Sequence, residues 1–251
     1  MLTSHLTGRV LQVTLNRPEK RNALSMELAR RLTETLDEAS GNSRVGAILL
    51  MAAGKAFCAG MDLSELGRVD PAELTQAHQQ LFTCGARLRK PLIAAVHGAA
   101  LGGGTGLVAN AHVVLASPEA TFGLTEIRLG LWPFVIYRAV SAAMGERRAL
   151  ELSLSGRIFS AEEAARYGLV HTVCSVNDLQ PLAEAAARGI AESSPVAVEA
   201  GLEYAEAFRE GSGTAGLAGK LRDRVMLAPD FQEGVAAYIE KRSPRWPSLA
   251  K

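Results

Sequence analysis

The chain has little uncompensated charge. Its 27 Lys+Arg balance 26 Asp+Glu, leaving a formal net charge of +1. Sequence-independent binding of nucleic acid needs many unpaired cations, so it is not expected as a general role. A local basic pocket for a small phosphorylated ligand remains compatible with this balance. Cysteine is scarce: Cys58, Cys84 and Cys174 are odd in number, widely spaced and without a CxxC pair. They supply neither a disulfide framework nor a zinc site, and suit reduced thiols in the cytoplasm. No basic segment followed by an apolar stretch opens the chain, so no secretory leader is expected. HExxH, Walker and GxSxG motifs are absent, as are internal repeats and long linkers. His5, His78, His97, His112 and His171 show no metal-ligand spacing, and no metal is expected.

One stretch lacks charge altogether. Residues 91–118 contain no Asp, Glu, Lys or Arg, with Gly98, Gly102 and Gly106 at helix-packing spacing. A lipid-exposed helix would be broken by Gly102-Gly103-Gly104 and would carry His97, Asn110 and His112. The stretch therefore reads as strand 92–96, glycine loop, short helix and strand 113–116, uncharged because it is buried in protein. No membrane contact is expected.

What is present fits a globular α/β protein. Apolar residues make up 48% and charged residues 21% of the 251. Val10, Leu11, Val13 and Leu15 predict a first strand. Ser25 predicts a helix N-cap, followed by Leu28, Leu32, Leu36 and Ala39 at helical spacing up to Gly41. The unbroken apolar run 47–51 predicts a strand covered on both faces. Asp70-Pro71 opens another helix, and Ser160-Ala-Glu-Glu163 is a capping box with Gly168 as the later stop. Past about residue 139 the chain is expected to be mostly helical, with Pro195 and Pro229 punctuating further helices. Strands alternating with helices in the first half imply an α/β core.

Three segments carry candidate chemistry. Gly104-Thr-Gly106-Leu-Val-Ala109 matches a dinucleotide fingerprint, but seven residues separate it from Val96, too far for the tight strand-to-helix turn of a nicotinamide site. Its glycines instead allow backbone N–H groups at a helix start to approach a ligand closely. Residues 54–63 leave the buried strand and turn through Ala59-Gly60 toward a predicted helix; Cys58 there is apolar-flanked and reads as core. Residues 121–134 hold Glu126 among apolar neighbours, where desolvation raises a carboxyl pKa toward neutrality. The bland reading of Glu126 is a partner for Arg128 or a helix cap. Trp132, Phe134 and Tyr137 are expected to wall an apolar pocket or to sit in the core.

In chain order these segments resemble the crotonase, or enoyl-CoA hydratase/isomerase, family. The carriers are Asn-Arg-Pro-Glu-Lys-Arg-Asn-Ala-Leu (16–24), Ala-Phe-Cys-Ala-Gly-Met-Asp-Leu (56–63), the glycine-rich 91–104, Phe-Gly-Leu-Thr-Glu-Ile-Arg-Leu-Gly (122–130), residues 163–170 and Tyr-Ile-Glu-Lys-Arg (238–242). The resemblance implies a superhelix of ββα units, with a crotonase core at 1–190 and a helical C-terminal trimerisation region at 191–251. It implies an acyl-CoA thioester substrate, no cofactor beyond the CoA moiety, and a homotrimer or a dimer of trimers. It implies an oxyanion hole from the backbone N–H groups of Met61 and Gly103, with Glu126 as acid/base. It places Arg21, Lys55, Ala59, Asp62, Leu63 and Lys241 at the CoA, with Lys20 and Tyr238 nearby.

The resemblance has a gap. Typical hydratases of the family carry a second glutamate at the position of Gly106. One carboxylate can carry a proton from C2 to C4 through the enolate, which is double-bond isomerisation, and residues 123–134 are similar to the Δ3,Δ2-enoyl-CoA isomerase version of the motif. They also resemble one-glutamate methylglutaconyl-CoA-type hydratases. The family's usual Asp before the next strand is His112 here. The expected function is an enoyl-CoA hydratase or isomerase. The rival reading is a catalytically silent scaffold of the same fold that binds acyl-CoA or RNA.

Overall fold

The apolar run at 47–51 becomes the strand Ala47–Ala52, and a computed structural model describing residues 1–249 shows what covers it. Ile48 and Leu50 face one core, with Leu28, Leu32 and Leu36 of the first helix. Ala47 and Leu49 face a second, with Leu179, Ala183 and Ala187. Every residue from 47 to 50 is buried because both faces are packed.

The strands are β1 (Leu2–Thr7), β2 (Val10–Leu15), β3 (Ala47–Ala52), β4 (Ala56–Cys58), β5 (Leu92–Val96), β6 (Ala99–Leu101), β7 (Val113–Ala116), β8 (Thr121–Gly123), β9 (Ile158–Ser160) and β10 (Thr172–Val173). One sheet has the order β1-β2-β3-β5-β7-β10, the other β4-β6-β8-β9. In each of the pairs β3/β4, β5/β6 and β7/β8, the first strand joins the larger sheet and the second the smaller. Successive ββα turns thus advance one place in both sheets, which is the expected superhelix. Pairing is parallel except for β1 with β2 and β8 with β9.

The helices are α1 (Met26–Gly41), α2 (Pro71–Phe82), α3 (Cys84–Arg87), α4 (Gly103–Ala109), α5 (Phe134–Met144), α6 (Glu146–Ser155), α7 (Ala161–Arg166), α8 (Val176–Ala191), α9 (Pro195–Arg209), α10 (Ala215–Met226) and α11 (Pro229–Glu240). Ser25 caps α1 through the Leu28 N–H, Asp70 caps α2, and Ser160 with Glu163 forms the capping box of α7. Several expectations change: β1 precedes the expected first strand and pairs antiparallel with it, and the expected glycine loop after β5 holds β6. The segment after Gly60 is a single 3-10 turn, Leu63–Glu65, because Leu63 and Leu66 stay exposed and give a longer helix no face to bury. The helical second half is interrupted by β9 and β10, strands too short to show a period of two. His112, where the family usually has Asp, accepts the Leu92 N–H on its Nδ1 at 2.9 Å, and burial together with Arg209 holds its pKa down at about 4. No helix among the described residues is long and apolar enough to cross a membrane.

Candidate active site

The site begins with a turn far from any catalytic group. Pro18 starts a 3-10 turn, after which Arg21 and Asn22 both take left-handed φ values of 52° and 53°. Asn tolerates that conformation better than most residues. Asn22 is fully buried, and its amide donates to the carbonyls of Ala53 (2.8 Å) and Ala56 (2.9 Å) while its Oδ1 accepts the Arg17 N–H. This ties turn 17–22 to the approach of β4. Residues 59–62 then run beside 21–24: the Ala59 N–H donates to Arg21, Leu24 to Gly60, and Asp62 to Leu24. Extended backbone alternates its polar groups. Gly60 and Asp62 bond toward Leu24, so the Met61 N–H faces the other way and has no acceptor among the described residues.

The second N–H comes from the start of α4. Gly102 has φ +52°, donates to the Gly123 carbonyl at 2.8 Å and delivers Gly103 as the first helical residue. A first-turn N–H has no partner within its helix and carries the positive end of the dipole. Close packing fixes this helix start. A β-carbon on Gly104 would lie 2.2 Å from the Cys58 carbonyl, and one on Gly60 would lie 2.8 Å from the Leu101 carbonyl and 3.3 Å from the Gly103 nitrogen. The β4–Gly60 turn and the α4 start therefore touch backbone to backbone, with Met61 and Gly103 at the contact.

Glu126 stands over this junction. It lies in the 3-10 turn Thr125–Leu129, and its Oε1 is 3.0 Å from where a Gly102 β-carbon would sit. Its Oε2 is buried without a hydrogen-bond partner, and burial pushes its pKa up. The turn's N-cap is Leu124, and among the described residues Glu126 forms no ion pair with Arg128, so neither bland reading holds. Gly106 lies one turn into α4, where a β-carbon would meet Ile136 Cγ2 at 2.3 Å and Phe82 at 3.2 Å. Apolar side chains fill the space a second glutamate would need.

Ala59, Met61, Gly102, Gly103 and Glu126 line one cavity of about 550 Å³. Its far wall is Leu131, Trp132, Phe134 and Ile136, and α2 contributes Leu74, His78 and Phe82. Tyr137 does not line it; the ring packs behind Trp132 at 5.9 Å between centroids. His78 is the residue that sequence reasoning passed over, since its i, i+4 spacing with Leu74 and Phe82 reads equally well as a core face. Cys58 is fully buried with its thiol pushed up to about 12, which leaves no nucleophile there. Among the described residues no cluster of His, Cys, Asp and Glu is placed to hold a metal ion.

The peripheral candidates separate into groups. Lys20, Arg21 and Lys55 are exposed on the two loops joined by Asn22, next to Ala59. Leu63 lines the cavity mouth, 47% exposed. The Asp62 carboxylate is already engaged by Arg17 at 2.6 Å and by Ser64. Burial works against its charge, but the Ser64 and Arg17 bonds prevail and hold its pKa at about 2. Tyr238 and Lys241, on and just beyond α11, do not line this cavity.

Two backbone N–H groups without acceptors among the described residues, those of Met61 and Gly103, and a desolvated carboxylate, Glu126, thus line one cavity. The sequence model described as enoyl-CoA hydratase/isomerase matches residues 6–248, and the chain belongs to that family of enzymes, the crotonases. It is 35% identical to the mevalonyl-coenzyme A hydratase of Aspergillus fumigatus, over 98% of this chain and 94% of that one. It is 35% identical to the 2,3-dehydroadipyl-CoA hydratase of Escherichia coli, over 94% of each. An enoyl-CoA hydratase structure from Bacillus anthracis superposes with a TM-score of 0.92 at 32% identity, over 98% of this chain and 99% of that one.

Proposed function

We propose that this chain hydrates a 2-enoyl-CoA thioester, with Glu126 as the only carboxylate acid/base. The observation that carries the reading is the placement of Glu126 against Gly102, beside the free N–H groups of Met61 and Gly103. Glu126 takes a proton from water as the water oxygen bonds to C3. The electron pair of the C2=C3 bond moves to the thioester oxygen, where the two N–H groups hold the enolate. The enolate then collapses and C2 takes the proton back from Glu126. A carboxyl whose pKa is raised by burial serves both halves of this cycle. Each oxyanion donor is worth about 3 kcal/mol in such transition states.

The remaining assignments belong to the same proposal. Arg21, Lys55 and Lys20 face the CoA phosphates, and the Ala59 carbonyl and Leu63 meet the nucleotide end. Asp62 holds the shape of the turn. Lys241 and Tyr238 reach the CoA of a neighbouring copy in a trimer built by residues 191–251. The hydratase names of the relatives support hydration over isomerisation.

The test supplies 2-enoyl-CoA and 3-enoyl-CoA in deuterated water to the wild type and Glu126→Gln. Formation of deuterated 3-hydroxyacyl-CoA is expected, lost by about 10²–10⁴-fold in the variant. Conversion of 3-enoyl to 2-enoyl without hydroxyacyl product would make the enzyme an isomerase. Binding of either thioester without exchange at C2 would make it a silent scaffold.

A further inference from the structure

The proposed oxyanion junction has a charge built next to it that works against it. Asp62 follows Met61 directly, so chain geometry alone keeps its carboxylate within about 7 Å of the Met61 N–H. A bare anion there would repel the enolate that this N–H is to hold. At about 10 Å and the effective dielectric of a partly buried site, one unit charge changes such an equilibrium by a factor of about ten.

Arg17 is placed to cancel that charge. Its Nη1 donates to Asp62 Oδ2 at 2.6 Å and to the Ala23 carbonyl at 3.1 Å, one residue before the Leu24 that pairs with Met61. The two side chains are only 17% and 6% exposed, so water and salt screen the pair weakly. The other oxygen, Oδ1, accepts the N–H and the hydroxyl of Ser64, and no second cation pairs with Asp62 among the described residues. Glu19, the other acid near Arg17, is 4.0 Å away and largely in solvent, so it takes little of the guanidinium's charge. Capping does not account for the arrangement. Asp62 caps the turn Leu63–Glu65 through the Ser64 N–H, and a neutral Asn or Ser caps as well as Asp without needing a half-buried guanidinium beside it.

We infer that Arg17 is a positioning residue for the enolate step, acting through Asp62: its guanidinium neutralises that carboxylate, so the oxyanion at the Met61 N–H forms beside an ion pair and not beside a lone negative charge. The inference rests on reading Met61 and Gly103 as the oxyanion hole.

The test titrates acetoacetyl-CoA, a thioester whose enolate absorbs in the near ultraviolet, on the full chain and its variants. The quantity read is the pH at which half of the bound thioester is enolate. Wild type should hold that pH below its value in free solution. Arg17→Met should raise it by about one and lower kcat for hydration about tenfold, with KM little changed. Asp62→Asn leaves the cation alone beside the junction and should move the pH the other way, below wild type. The double variant, with neither charge, should return close to wild type, and Arg17→Lys, which keeps the cation, should rescue most of what Arg17→Met loses. An ion pair that serves only to hold the turn predicts that both single variants raise the pH and that the double variant is no better; that pattern overturns the inference. An Arg17→Met variant indistinguishable from wild type overturns it too. Should Arg17→Met fail to fold, the sign of the Asp62→Asn shift decides. In each of these cases the wild-type preference for the enolate stands, and with it the oxyanion hole. A wild type that binds the thioester without favouring its enolate removes the hole and this inference together, and one that binds none removes the acyl-CoA reading as well.

Discussion

Glu126 is held where its charge is unwelcome. Burial raises its pKa above the ordinary 4.5, and no cation or N–H compensates Oε2. A group protonated more readily in the folded than in the unfolded state adds stability below the unfolded pKa and loses it as pH rises through the folded value. Wild type therefore carries a penalty at neutral pH that Glu126→Gln removes. The variant should melt higher than wild type at pH 7.5, with the gap closing toward pH 4, while its activity falls. Thermal scans across that range check the sign. A variant that melts lower at neutral pH would show the carboxylate to be a structural partner. Asn22 is the opposite kind of residue: buried, fully bonded and remote from the chemistry, it holds the turn that aims the Met61 N–H.

At the scale of elements, the contact between the Gly60 turn and the start of α4, the proposed oxyanion junction, depends on two glycines doing different jobs. Gly60 needs its φ of +87°, whereas Gly104 is helical and needs only the absence of a side chain against the Cys58 carbonyl. Alanine inside a helix is ordinarily preferred over glycine by about 1 kcal/mol. Gly219→Ala on α10, with nothing near its added β-carbon, should show that gain. Gly104→Ala should instead push α4 off β4, carry the Gly103 N–H out of line and lower kcat by about 10²-fold or more. Measuring kcat and melting temperature for both variants separates close packing from helix propensity. The same elements show what the sequence made legible. The 47–51 run, the Ser25, Asp70 and Ser160 caps, and the order of the motif segments are local signals, and each corresponds to an observed feature, though Met51 is only half-buried. β6 and β8, at three residues each, carry no period; they exist only through pairing with strands about 20 to 40 residues away in the chain. The filling of the Gly106 space by Ile136, thirty residues on, has no local trace either. His78 was hidden because a helix face toward a cavity and one toward a core have the same spacing.

The whole molecule leaves one surface unexplained by its own fold. Helices α1, α4, α7 and α8 pack on the sheets and α2, α3, α5 and α6 pack on neighbouring helices of that core, whereas α9, α10 and α11 pack mainly on one another and on the turn Pro247–Leu249. Lys90 with Glu199, and Arg138 with Glu206, link α9 to the core. The apolar residues these three helices bury fully are small in number and mostly small in size: Ala200, Leu221 and Ala237. They expose much larger ones, including Phe208 at 68%, Leu227 at 82%, Tyr238 at 87% and Ile239 at 72%. Apolar area costs about 25 cal/mol per Å² when left in water, so a face of this composition would gain stability from being covered. The proposed trimerisation through residues 191–251 accounts for it, and should give a light-scattering mass three or six times the 26.6 kDa chain. Leu227→Asp combined with Ile239→Asp should dissociate that assembly without unfolding α1 to α8, because neither side chain packs into the core clusters. Dissociation should also weaken binding of CoA thioesters, since Lys241 and Tyr238 would no longer reach a neighbour's site. A wild type that runs at 26.6 kDa at micromolar concentration would remove both the trimer and the role of those two residues, and would leave the proposed site at Met61, Gly103 and Glu126 on each chain untouched.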